Sequence, residues 1–179
     1  MSSVMKIDEL NEELRWEYDK ETGVVSCGLA KAVVPYGVWG IDSPGWFFHD
    51  DESNSDIGVQ FRFFTKLQGK KPVMEDFMGR EFEALVGSND GPHAEYGERD
   101  GVKYFIKRTA FSYDPSKLDI MPDEVKAMMT EEYVPYSLYG VYEHPQGVFT
   151  VDVSGDSKFI DEDMMRDIED IIASIEFTV

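Results

Sequence analysis

The chain reads as an α+β domain, a central antiparallel sheet flanked by helices, and three stretches of sequence predict it. Val59, Phe61 and Phe63 alternate with Gln60 and Arg62, the period-two pattern of a half-buried strand. Tyr136 to Tyr142 and Val148 to Val153 bracket the turn segment Glu143-His144-Pro145-Gln146-Gly147, with Phe149, Val151 and Val153 alternating against Thr150 and Asp152, which predicts a hairpin. Met164, Ile168, Ile171, Ile172 and Ile175 recur at helical spacing behind Asp161, Glu162 and Asp163, whose negative charge favours a helix start.

The other elements follow in chain order. Ile7, Leu10 and Leu14 predict a short first helix, and Arg15 to Tyr18 and Val24 to Cys27 form a hairpin across the turn cluster Asp19–Gly23. Residues 1–29 thus read as a helix-plus-hairpin extension of a single domain spanning 1–179. Ala32 to Ile41 is apolar but broken by Pro35, Gly37 and Gly40, which suits an edge strand or an irregular segment. Ser43-Pro44-Gly45-Trp46 is a turn, and His49 to Asp56 a solvated loop. Pro72 suits a first helical turn, after which Met74, Phe77, Met78, Phe82, Leu85 and Val86 form one stripe that stops at Gly87. Glu98-Arg99-Asp100-Gly101 leads into a strand from Val102 to Tyr113, with Val102, Tyr104 and Ile106 on one face and Lys103 and Lys107 on the other. A second short helix begins near Pro122 and turns Val125, Met128 and Met129 inward, and Phe177-Thr178-Val179 close as a last strand.

Composition excludes several functions. Thirty-six Asp and Glu against seventeen Lys and Arg give a net charge of −19, which repels nucleic acid and anionic membrane surfaces and attracts basic partners. With 42% hydrophobic residues the chain is too apolar to be disordered. Cys27 is the only cysteine, so no intramolecular disulfide forms and thiolate-zinc sites are excluded; a reducing, cytoplasmic setting is expected. Lys6, Asp8 and Glu9 interrupt any signal-peptide core, and no apolar run approaches the ~18 residues of a membrane span.

The chemistry-bearing residues form no catalytic signature. The cluster His49-Asp50-Asp51-Glu52, with Asn54 and Asp56, offers hard-cation ligands, yet counted from Asp51 it fails the EF-hand pattern: Ser53 and Ser55 occupy ligand positions, Asp56 replaces the glycine and Arg62 the final glutamate. No tight metal site is expected there. His49, His93 and His144 have no zinc-site spacing, and Cys27 between Ser26 and Gly28 reads as a strand thiol. Gly155-Asp156-Ser157 resembles a lipase nucleophile block, but no histidine follows it. Neither nucleotide-binding glycine motif is present, so no cofactor is expected. Lys66, Lys70, Lys71, Lys103, Lys107 and Arg108 are the local basic concentrations, and they read as neutralising nearby carboxylates. The remaining signal is aromatic: Trp39, Trp46, Phe47, Phe48, Tyr133, Tyr136, Tyr139 and Tyr142. Of these, Trp39, Trp46, Phe47, Phe48, Tyr136 and Tyr139 are the candidate binding residues, since any left exposed among carboxylates would make an aromatic-centred, charge-rimmed patch.

The turn Pro44-Gly45-Trp46, a strand near residue 60, a helix at 73–86, two antiparallel pairs and a closing helix ending Ile171-Ile172-Ala173-Ser174-Ile175-Glu176-Phe177 also form an ordered set. Over residues ~30–179 that set resembles the fold family shared by PsbP-type photosystem subunits, Ran-binding nucleotide-release factors and DcrB-like proteins. The resemblance implies an α/β sandwich whose relatives mostly bind other proteins, and it transfers no functional residue. The expected function is therefore a non-enzymatic protein-binding domain of the adaptor, chaperone-like or immunity kind, holding a basic or hydrophobic protein segment. Two alternatives stand beside it: a metal-dependent hydrolase joining the His49–Asp56 loop to His93 or His144, and a domain whose acidity serves solubility alone.

Overall fold

A computed structural model describes residues 10–49, 57–77, 93–110, 135–156 and 160–179. In chain order its elements are β1 (Glu12–Glu13), β2 (Glu17–Tyr18), β3 (Val24–Ser26), β4 (Ala30–Val33), β5 (Trp39–Ser43) and β6 (Trp46–His49), then β7 (Gly58–Lys66), β8 (His93–Arg99), β9 (Val102–Ala110), β10 (Pro135–His144) and β11 (Gly147–Asp156). Helix α1 (Glu162–Ser174) and β12 (Glu176–Phe177) complete the series.

The long alternating strands build an antiparallel sheet in the order β5-β6-β7-β11-β10-β9-β8. β1 shares with β6 one edge of β7: Trp46 pairs with Gln60 near one end, and Glu13 with Phe64 near the other. Turn chemistry sets the register of the β8–β9 hairpin, where Asp100 (φ 54°) and Gly101 (φ 80°) are both left-handed, as a two-residue primed turn requires. A second, four-stranded sheet runs β12-β4-β3-β2.

Strand parity sends Val59, Phe61 and Phe63 of β7, Phe149, Val151 and Val153 of β11, and Val102 and Ile106 of β9 to one inner face. Helix α1 covers that face with Met164, Ile168, Ile171 and Ile172, together with Val25, Ala30, Ala32 and Phe177 of the small sheet. Two polar contacts orient the helix. Asp161 caps its start by accepting from the Met164 amide at 2.9 Å, and Arg108 of β9 donates to both oxygens of Glu169, at 2.7 and 2.8 Å.

The expected helix-flanked α/β sandwich does not form. Among the described residues strand accounts for 56% and helix for 15%, a β-rich fold. The reason lies in the segment 17–33 and Phe177, which fold into a sheet of their own and cover inner-face area that a helix layer would otherwise take. The first helix does not reach Leu14 either: Glu12 and Glu13 pair with β7, and the Leu14 amide donates to the Phe63 carbonyl at 2.8 Å. The stripe beyond Phe77 and the helix near Pro122 lie outside the described residues. The face carrying Lys103 and Lys107 also holds Phe105, which packs with Val141 and Val148 in a second apolar cluster.

Candidate functional site

Parity divides the six candidate aromatics into two sets. Trp39, Phe47 and Tyr136 point to the inner face and are core residues, 1%, 0% and 4% exposed. Trp46, Phe48 and Tyr139 alternate with them and point to the outer face, where Trp46 is 48% exposed and the other two are partly so. The alternation of β6 and β10 carried this division, although a cluster of aromatics by itself does not say which ring is outside. Tyr142 is buried, and Tyr133 lies outside the described residues.

On the outer face the registers align one cross-strand row: Trp46 of β6, Gln60 of β7, Asp152 of β11 and Tyr139 of β10. The Trp46 indole leans over Gly58, one inward-facing residue away from Gln60, its nitrogen 3.7 Å from where a Cβ would be, an ordinary contact distance. Burial holds the Asp152 carboxyl above the usual carboxylate range, although the residue as a whole remains exposed. The Tyr139 phenol is raised first by burial and then by Asp152, with Arg62 pulling the other way. Arg62 is engaged elsewhere: it donates to both oxygens of Glu13 at 2.8 and 3.0 Å, and its guanidinium lies 4.6 Å from the centre of the Phe64 ring.

Beside Trp46 the surface opens into a groove of about 370 Å³ between β1 and the β5–β6 turn, along the edge of β7. Leu14, Trp16, Pro44, Gly45 and Phe61 line it together with Trp46. Gly45 (φ 93°) is the residue the wall requires, since a Cβ there would stand 3.0 Å from Trp16 Cδ1.

The three histidines do not converge. His49 ends β6 on the inner side, its Nε2 3.3 Å from Asp167 of α1 and its ring edge-on to Trp39. His144 lies at the opposite end of β10 from the strand segment level with Phe48; its Nε2 donates to the Thr178 carbonyl at 2.7 Å and its Nδ1 accepts from the Gln146 amide at 3.0 Å. His93 opens β8, in a row that crosses Arg108, Leu138, Val153 and Val59 before reaching Phe47 on β6. The register keeps His49 itself apart from His93 and His144; the hydrolase alternative also draws on the rest of the His49–Asp56 loop. Asp50 to Asp56 lie outside the described residues, and among the described residues no three His, Cys, Asp or Glu side chains are placed to hold a metal together. Cys27 is half-buried, and burial raises its thiol above the ordinary value. Among the described residues no helix is long and apolar enough to cross a membrane.

No family model matches the sequence, and no curated protein matches it. Among solved structures the chain is similar to the solution structure of cyanobacterial PsbP (CyanoP) from Synechocystis, with a TM-score of 0.45 and 14% identity, over 99% of this chain and 98% of that one. At that level no residue role passes from that protein to this chain.

Proposed function

We propose that this chain is a non-enzymatic protein-binding domain whose docking surface is the outer face of the main sheet around Trp46. The observation that carries the reading is the half-exposed Trp46 in line with Asp152 and Tyr139 on a rigid sheet, beside a groove of ligand-binding size. Exposed aromatic anchors ringed by charge are the composition of binding hot spots, and a tryptophan left half in water carries a hydration penalty that a partner relieves. The net charge of −19 supports a basic or hydrophobic protein segment as the partner and speaks against nucleic acid.

Capture from a lysate of the source cells tests this, using the wild-type chain, Trp46→Ala and Tyr139→Ala as baits at low and high salt. A protein retained by the wild type, lost by Trp46→Ala and released by salt supports the proposal. Retention that is indifferent to both substitutions removes this face from consideration.

A further inference from the structure

The outer-face row has a chemical character of its own. Trp46 is 48% exposed. Asp152 lies two strands away, roughly 10 Å at ordinary strand spacing, with Gln60 between them. Among the described residues Asp152 has no ion-pair partner: the nearby Arg62 guanidinium is held by both oxygens of Glu13, and Lys107 stands beyond Tyr139 at the next position of the row. Asp152 is exposed on the outer face in line with Trp46, so its carboxylate is open to a partner's cation. An exposed ring and an exposed, unpaired carboxylate in one row offer stacking and charge to the same arriving cation.

We infer that the row Trp46–Gln60–Asp152–Tyr139 seats an arginine side chain of a partner protein segment, the guanidinium stacking on the Trp46 indole and donating to the Asp152 carboxylate. Arginine fits where lysine does not. Its guanidinium is planar, weakly hydrated and able to stack and donate at once, whereas an ammonium is a strongly hydrated point charge. The Gln60 amide oxygen, midway along the row, accepts a further guanidinium N–H, and the surrounding charge of −19 draws the cation in. This rests on the reading of the face as a protein-binding surface and adds the identity of its anchor.

The test follows the indole N–H resonance of Trp46 by NMR in the whole chain, with the buried Trp16 and Trp39 indoles as internal references. The probes are Nα-acetyl-arginine methylamide and its lysine counterpart at matched ionic strength. The arginine probe is expected to move the Trp46 signal saturably, with the lysine probe at least about fivefold weaker and Asp152→Asn weakening the arginine probe at least about fivefold. Equal response to both probes, or an unchanged response in Asp152→Asn, overturns the inference, because diffuse attraction to the −19 surface would then account for the binding. Dispersed amide spectra show that each variant is folded. If Trp46→Ala abolishes partner capture while the arginine probe fails to bind, the arginine seat falls and the docking face stands. If the probe binds but Trp46→Ala leaves capture intact, the docking proposal falls instead.

Discussion

The Nη1 of Arg99, at the end of β8, lies 2.9 Å from the carbonyl oxygen of Ile172 in the last turn of α1. The same nitrogen donates to the carbonyls of Ala173 at 3.0 Å and Ile175 at 3.1 Å. The last turn of α1 contains no basic residue, so the charge that complements the helix end arrives from a hairpin distant in sequence. The neighbouring Asp100 adds a second tie by accepting from the Phe177 amide at 3.1 Å.

Arg99→Ala should therefore lower stability by about 1.5–3 kcal/mol, the range for hydrogen bonds to a charged group. Denaturant unfolding measures it. Arg99→Lys should recover part of the loss, since one ammonium retains the charge without the fixed fork. An unchanged midpoint in Arg99→Ala would mean that water caps the helix end equally well.

Ile171 is fully buried between α1 and the sheets, and Ile171→Ala should lower stability by roughly 2–5 kcal/mol. Thermal melts of the two proteins decide it.

Asp152 gives a prediction of opposite sign. A carboxyl whose folded pKa stands above its unfolded value, near 3.9, supports folding while protonated and ceases to as pH rises through the folded value. Asp152→Asn should then melt at a higher temperature than the wild type at pH 7, with the gain shrinking as the solution is acidified below about pH 4. A lower melting temperature at pH 7 would show that a favourable contact of the carboxylate outweighs the cost of its burial. Gaining stability while losing arginine binding is the trade expected of a functional residue.

At the alkaline end, burial, and after it Glu169, pushes the Tyr136 phenol up to about 12, with Arg108 opposing. Tyr142, Tyr18 and Tyr139 are also raised, each by burial first. Because these phenols lose protons more easily once unfolded, their contribution to stability should be constant below about pH 10 and decline above it. Phenolate absorbance in Tyr136→Phe, compared with the wild type, should show that the substitution removes a late-titrating group.

Association with a captured partner should slow steeply as the Debye length falls from ~30 Å to ~8 Å, while dissociation changes less. Stopped-flow mixing across that salt range measures both rates. A salt-independent association rate would assign the net charge of −19 to solubility.

The sequence was legible wherever physics is local. The alternation at Phe149, Val151 and Val153 predicted β11, Glu98-Arg99-Asp100-Gly101 marked a tight turn, and the isoleucines of α1 predicted its buried face. It was not legible where partners are distant. The β2–β3 hairpin and a strand at Phe177 were legible, but nothing near residues 30–33 says that they will pair with Glu176 and Phe177, so the assembly of these pieces into one small sheet was not. The Arg62–Glu13 pair and the Arg99 cap are hidden for the same reason. For the site, the six aromatics were the right residue type, but only pairing register places Trp46 and Tyr139 outside and in line with Asp152, while Trp39, Phe47 and Tyr136 fill the core.

The pairing of β12 with β4 also governs how the molecule is made. During synthesis β4 emerges with nothing to pair on one of its edges until residues 176–177 leave the ribosome, and the inner face lacks its helix until α1 follows β11. Closing so long a loop is entropically slow, and an apolar sheet left open for that interval is the species that aggregates. Nascent chains of this protein should therefore depend on holdase chaperones until the last helix is released, and truncations that remove residues 161–179 should accumulate as insoluble protein.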